Sequence, residues 1–178
     1  MTLIPHDRAW PRAPVGAGPY RTWLIDRGSL TQRIIDRCPR FNMRLVFQGL
    51  RTPTRDEAFL FADHGRSRVL VREVYLCCDD TPVVFAHSVV RPRDVRGPWK
   101  ALAGLGSRSL GSRLFTDPRV ERCPLHQKKL NRGHELHARA LIAAPDVHGA
   151  LWARRSLFTL HKSPILVTEV FLPGILAL

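Results

Sequence analysis

The chain has 178 residues, 44% of them hydrophobic, and 28 lysines and arginines against 15 acidic residues, for a formal net charge of +13. That length supports one domain with a real core and not two comfortable ones, and no apolar run approaches the roughly 18 residues of a membrane-crossing helix. The opening "MTLIPHDRAWPRAP" carries charge and prolines where a signal peptide would be continuously apolar, so residues 1–20 read as a partly extended leader and 21–178 as a cytoplasmic domain.

The first element in chain order lies in "GSLTQRIIDRC". Ser29 is a good N-cap, Leu30, Ile34 and Ile35 fall at helical spacing, and Pro39 stops the run, which predicts a short amphipathic helix. "FNMRLVFQGL" reads as a strand, and "DEAFLFAD" stays open between a strand and a short helix. "RSRVLVREVYLCC" and "PVVFAHSVVRP" flank the turn cluster "DDTP" and predict a hairpin. "GPWKALAGLGSRSLGSRLF" is glycine-punctuated and helix-capable. It predicts two short helices joined by a glycine-rich loop able to close over a ligand. "RVERCPLHQKKL" reads as a strand broken, or made an edge, by Pro124. "NRGHELHARALIAAPDVHG" reads as polar and irregular with a helical turn, and "ALWARRSLFTL" and "PILVTEVFLP" as a second hairpin around "HKS". Strands outnumber helices and come as neighbouring hairpins. The expectation is an α+β fold with a single antiparallel sheet and helices packed to one side.

Cys38, Cys77, Cys78 and Cys123 contain no C-x-x-C, so reduced, mostly buried thiols are expected rather than a disulfide framework or a structural zinc site. The histidines of "HELH" stand three apart, not four as a zinc-protease helix requires, and are expected in a solvated polar loop. "GLGSRSLG" lacks the Walker pattern. The basic charge is nearly all arginine and is scattered along the chain. With aromatic residues at only 8%, no nucleic-acid partner is expected.

Side chains alternate along a strand, which gives the ionisable residues their meaning. Glu169 shares a face with Ile165, Val167 and Phe171; Arg72 with Leu70, Val74 and Leu76; His87 with Val83, Phe85 and Val89. A charge buried without a partner is costly. Two readings stay open: a structural ion pair between Arg72 and Glu169, or a pocket where acid, guanidinium and imidazole converge. Glu73, on the face of Val69, Val71 and Tyr75, makes both faces of its strand look apolar, and parity does not say which is inside.

"WLIDRGSLTQRI", "VREVYLCCDDTPVVFAHSVV", "LGSRSLGSRLF" and "LWARRSLFTLHKSPILVTEVFLP", in this order, resemble the chorismate lyase family from about Trp23 to Pro173. The resemblance implies a compact domain with a ligand site beneath mobile flaps. It also implies that chorismate is split into 4-hydroxybenzoate and pyruvate, a step toward ubiquinone, with no metal or organic cofactor, in a monomer. It maps Arg72 to the grip on the ring carboxylate, the backbone amides of Leu30 and Leu110 to the same carboxylate, and Glu169 to the other end of the ring. Arg72 and Glu169 are thereby the expected catalytic residues. Two positions depart from the family pattern: His87 stands where a run like "FARSVV" has arginine, and Ser109 where a proline often precedes the flap leucine. His87 is accordingly expected at the enolpyruvyl carboxylate, with Arg91 as a neighbouring substitute. The alternative is a non-catalytic aromatic-acid-binding paralogue, which His87 keeps open, or a sensor on the same fold. Such sensors follow a DNA-binding domain, and only 20-odd residues precede the matched region here.

Overall fold

The computed structural model describes residues 9–60, 68–100, 104 and 110–178. The start of the leader, the last three residues of "DEAFLFAD" and most of the glycine-rich loop, Ser109 included, lie outside the described residues. In order, α1 (Arg21–Ile25) and α2 (Leu30–Ile35) precede β1 (Phe41–Arg51), and Ala58–Leu60 form a 3-10 turn. The first hairpin is β2 (Val69–Cys78) and β3 (Thr81–Val90), followed by α3 (Pro92–Arg96) and α4 (Leu110–Thr116). Then come β4 (Glu121–Arg122), β5 (His126–Leu130), α5 (Glu135–Ala140), β6 (Leu151–Leu160) and β7 (Ser163–Phe171).

The seven strands form one sheet in the order β1-β2-β3-β7-β6-β4, with β5 also on β6. Every pairing is antiparallel, as the sequence predicts. Both hairpins turn on two residues in the left-handed region, Asp79 and Asp80 (φ 45° and 68°) and His161 and Lys162 (φ 49° and 64°). That geometry matches the right-handed twist of the strands it joins. The expected strand around Pro124 is split into β4 and β5, which pair with successive parts of the same β6 edge. Proline cannot donate to the ladder, and the break falls where it stands.

The single antiparallel sheet is as expected, but both of its faces are covered, and α5 packs on the face opposite the other helices rather than on one common side. On one face, Trp23 and Leu24 of α1 and Leu30 and Ile34 of α2 pack on Val74 and Phe171. Leu110 and Leu114 of α4 join Phe158 and Ile165 on the same side. On the other, Trp10, Leu136 and Ala140 cover Tyr75 and Phe85. Ser29 caps α2 as its sequence indicates, its side chain accepting from the Gln32 amide at 3.3 Å. The segment before α1 is anchored as well: the Pro11 carbonyl accepts from the Gln127 amide at 2.7 Å, and the Trp10 indole donates to Asp56 at 2.6 Å.

Two expectations are corrected. Cys38 and Cys78 form a disulfide across 40 residues of sequence, while Cys77 and Cys123 stay free. Pairing needs Cα atoms brought close, here to 5.6 Å, and only the packing of the α2 end against β2 does that. The "HELH" stretch is no solvated loop: it opens α5, and Leu136 and His137 are buried. Six residues are too few for a helix to stand alone. Burial of Leu136 against the sheet, worth about 1.5–3 kcal/mol for a side chain of that size, holds it. His134 binds Asp56 at 3.1 Å and His137 the Gly149 carbonyl at 2.8 Å, so both imidazoles serve the fold.

Candidate active site

Strand alternation brings the site residues to the α2 and α4 side of the sheet. Arg72 lies opposite Ser88, Ser88 opposite Val167, and Val167 opposite Ser156. The next row toward α1 runs Val74, Ala86, Glu169, Arg154. Above these rows sits a cavity with about 600 Å³ of space outside protein atoms, counting its open mouth. Arg72, Glu169 and Arg122 are its charged lining residues, Leu76 and Phe158 part of its apolar floor, and Leu110 part of its roof.

Glu169 is held from behind. Arg154, 1% exposed, donates Nε to Glu169 Oε2 at 2.6 Å and Nη1 to the carbonyls of Trp23 and Asp26, each at 2.7 Å. One guanidinium thus orients the carboxylate and fastens the end of α1 to the sheet. Among the described residues nothing donates to Oε1, which is left for a ligand. Arg72, buried at 7%, lies 3.6 Å from Met43 Sδ through Nη2, and burial pulls its guanidinium below its ordinary value. Arg122 reaches in from β4, donating Nε to Ser156 Oγ at 3.0 Å and Nη1 to the Arg27 carbonyl at 2.5 Å. Its guanidinium lies 5.1 Å from the Phe115 ring centre and 5.2 Å from that of Phe158. Burial holds the Arg122 guanidinium below its ordinary value, with Glu169 opposing only in part.

Of the sequence-predicted residues, Arg72, Leu110 and Glu169 meet at this cavity. Leu30 is buried in the core beside it, and the next residue, Thr31, lines the wall. His87 does not join them. In the register of the hairpin it stands opposite Glu73, while Arg72 stands opposite Ser88, so its ring projects from the other face of the sheet. There Nδ1 meets Glu73 Oε1 at 3.0 Å, and Nε2 lies 2.9 Å from Glu57 Oε1 as an ion contact off the hydrogen-bond line. Burial opposes the imidazolium, but the two carboxylates outweigh it and push His87 up to about 9. Arg51 and Arg139 also reach Glu73, at 3.2 and 3.0 Å. Arg91 is no substitute at the cavity, since it donates to the Leu60 carbonyl at 2.6 Å.

Sequence reasoning missed Arg122 and Arg154. Arg154 was reachable by the alternation argument, because it shares a face with Ser156 and Phe158. Arg122 was not, because β4 has two residues and shows no period.

Fold and site together define a single-sheet α+β domain with a buried small-molecule cavity. Among the described residues two guanidiniums, Arg72 and Arg122, line it with the Glu169 carboxylate, which Arg154 already neutralises from behind, and two such cations fit an anion carrying two negative charges. The family model described as chorismate lyase matches residues 16–177. A protein of Nitrosospira multiformis named "Probable chorismate pyruvate-lyase" is 53% identical over 171 residues, covering 95% of each chain. One of Nitrosomonas europaea with the same name is 51% identical over 168 residues, covering 94% of each. The chain belongs to the chorismate lyase family, a family of lyases. Among solved structures, the effector domain of PhnF from Mycobacterium smegmatis superposes with a TM-score of 0.56 at 13% identity, covering 83% of this chain and 90% of that one. The C-terminal domain of the histidine utilization repressor from Pseudomonas syringae pv. tomato does so with a TM-score of 0.50 at 11% identity, covering 76% and 93%. These two likenesses concern the fold alone.

Proposed function

We propose that this protein converts chorismate to 4-hydroxybenzoate and pyruvate. The observation that carries this reading is the meeting of Arg72, Glu169 and Leu110 at one cavity in a chain of this family. Arg72 forks onto the ring carboxylate with two charge-assisted hydrogen bonds. The amides of Leu30 and Leu110 add neutral donors; each residue opens its helix, where a backbone N–H has no intrahelical acceptor. Glu169 Oε1 accepts from the ring hydroxyl at the opposite end. Arg72 and Glu169 stand on strands two intervals apart, on the order of 10 Å. That separation suits a six-membered ring with polar groups at its two ends and a hydrogen bond to each.

The reaction removes hydrogen from the ring carbon that bears the hydroxyl and breaks the neighbouring carbon–oxygen bond. The electron pair of that bond stays with the ether oxygen, and the side chain gains hydrogen at its methylene to become pyruvate. Aromatisation of the ring drives the step, so the protein's share is orientation and modest acid/base help. In this reading Arg72 and Glu169 are the catalytic pair, no metal or organic cofactor enters, and the product supplies ubiquinone or another 4-hydroxybenzoate-derived metabolite. A cytoplasmic monomer belongs to the same proposal. The test is to incubate the purified protein with chorismate and quantify 4-hydroxybenzoate and pyruvate beside Glu169→Ala. Equimolar products lost in the variant support the lyase. Tight 4-hydroxybenzoate binding without turnover makes the protein an aromatic-acid binder and rejects it.

A further inference from the structure

We propose that Arg122 receives the second carboxylate of the substrate, the one on the enolpyruvyl side chain. This rests on the chorismate reading above. The argument is positional. Across the sheet the order is β2, β3, β7, β6, β4, which places Arg72 first, Glu169 in the middle and Arg122 last. A ring anchored by its carboxylate at Arg72 and its hydroxyl at Glu169 carries the enolpyruvyl ether on the carbon next to the hydroxyl. That substituent therefore leaves the ring at the Glu169 end, where Arg122 forms the wall. All three side chains line the same cavity.

The bonding of Arg122 fits the task. Ser156 Oγ and the Arg27 carbonyl fix its orientation through Nε and Nη1, and the rings of Phe115 and Phe158 flank its plane. Both fixed acceptors are neutral, and among the described residues no carboxylate lies within ion-pair distance of it. Its other N–H groups stay available to an anion, and Nη2 bonds no described residue. The charge count agrees. Arg154 is spent on Glu169, and the two guanidiniums that line the cavity, Arg72 and Arg122, match in number the two carboxylates of a dianion. Product and substrate then differ at this position: 4-hydroxybenzoate retains the groups facing Arg72 and Glu169 and lacks the one facing Arg122. Arg122 is in this sense a substrate-specific contact that releases its hold when pyruvate leaves.

The experiment compares Arg122→Ala and Arg122→Lys with the full wild-type chain, measuring kcat/KM for chorismate and Kd for 4-hydroxybenzoate. The expected result for Arg122→Ala is a loss of about 10- to 100-fold in kcat/KM, the worth of one charged hydrogen bond. Product Kd should stay within about 3-fold, and Arg122→Lys should recover part of the loss. Equal losses in kcat/KM and product affinity would make Arg122 a structural prop and overturn the proposal, as would unchanged kcat/KM. A wild-type chain that binds product but does not turn over chorismate overturns the reading on which the proposal rests, and this control separates the two failures.

Discussion

The two faces of one sheet bury charge in opposite ways. On the α2 and α4 side, Arg72, Arg122 and Glu169 line a cavity, and each is held by a few contacts from behind or beside. On the α5 side, Glu73 alone is met by His87, Arg51 and Arg139, and Asp56 by Trp10, His134 and Arg155. Burial pushes the Asp56 carboxyl up, yet His134 and Trp10 outweigh it and hold it well below its ordinary value. The second face is a network of ion pairs whose charges answer one another, with His87 Nε2 and Glu57 Oε1 meeting off the hydrogen-bond line. On the first, Glu169 Oε1 and Arg122 Nη2 have no partner among the described residues. A buried charge that lines a cavity is a better guide to a ligand site than one locked among partners of opposite sign.

The largest effect that sharpens this contrast is chemical. Glu169→Gln should lower kcat by about 10²- to 10⁴-fold, the usual worth of a positioned acid/base group. Its melting temperature should move little beside that loss, since the amide still accepts from Arg154. Parallel loss of turnover and fold would erase the distinction between the faces. Next in size is the network. Glu57→Gln or His87→Ala breaks a buried ion pair and should cost about 3–5 kcal/mol in denaturant unfolding. Product affinity of folded Glu57→Gln should remain within about 2-fold; a tenfold loss would join the network to the site.

The same network predicts a pH dependence. His87 is raised in the folded state, so its contribution is complete below the unfolded value near 6.5 and fades as pH climbs through about 9. Glu57 and Glu73 are lowered, so theirs is present above their ordinary range and is lost on acidification. A thermal scan from pH 6 to 10 should show stability falling across the alkaline side, with a shallower fall in His87→Gln. An unchanged slope in the variant would remove His87 as the cause. A further test concerns Cys38–Cys78, which fastens the end of α2 beside the cavity wall. Its reduction should cost about 2–4 kcal/mol, read as a lower unfolding midpoint in dithiothreitol. Thiol titration of protein taken directly from cells and trapped at once should find Cys38 and Cys78 unreactive, and free thiols there would mean that the bond does not form in the cell. The smallest effect is local: Ser29→Ala removes the α2 cap and should cost about 1 kcal/mol.

Much of this architecture was written along the chain. β-rich runs set β2, β3, β6 and β7, turn residues closed both hairpins, and Ser29 opened α2. Alternation along the strands put Arg72 beside Val74 and Glu169 beside Val167, which singled out two of the cavity's charges but left open whether they formed an ion pair or a pocket. These features depend on neighbours within a few residues, which is where sequence is informative. Contacts between distant segments decided the rest. Register turned His87 toward Glu73 instead of Arg72, a choice parity within one strand does not make. β4 placed Arg122 at the cavity with only two residues, too short to carry a period. α5 formed because Tyr75 and Phe85 offered it an apolar surface, and Cys38 met Cys78 because α2 packs on β2. In each case the deciding energy came from burial and pairing across tens of residues, which no local pattern records.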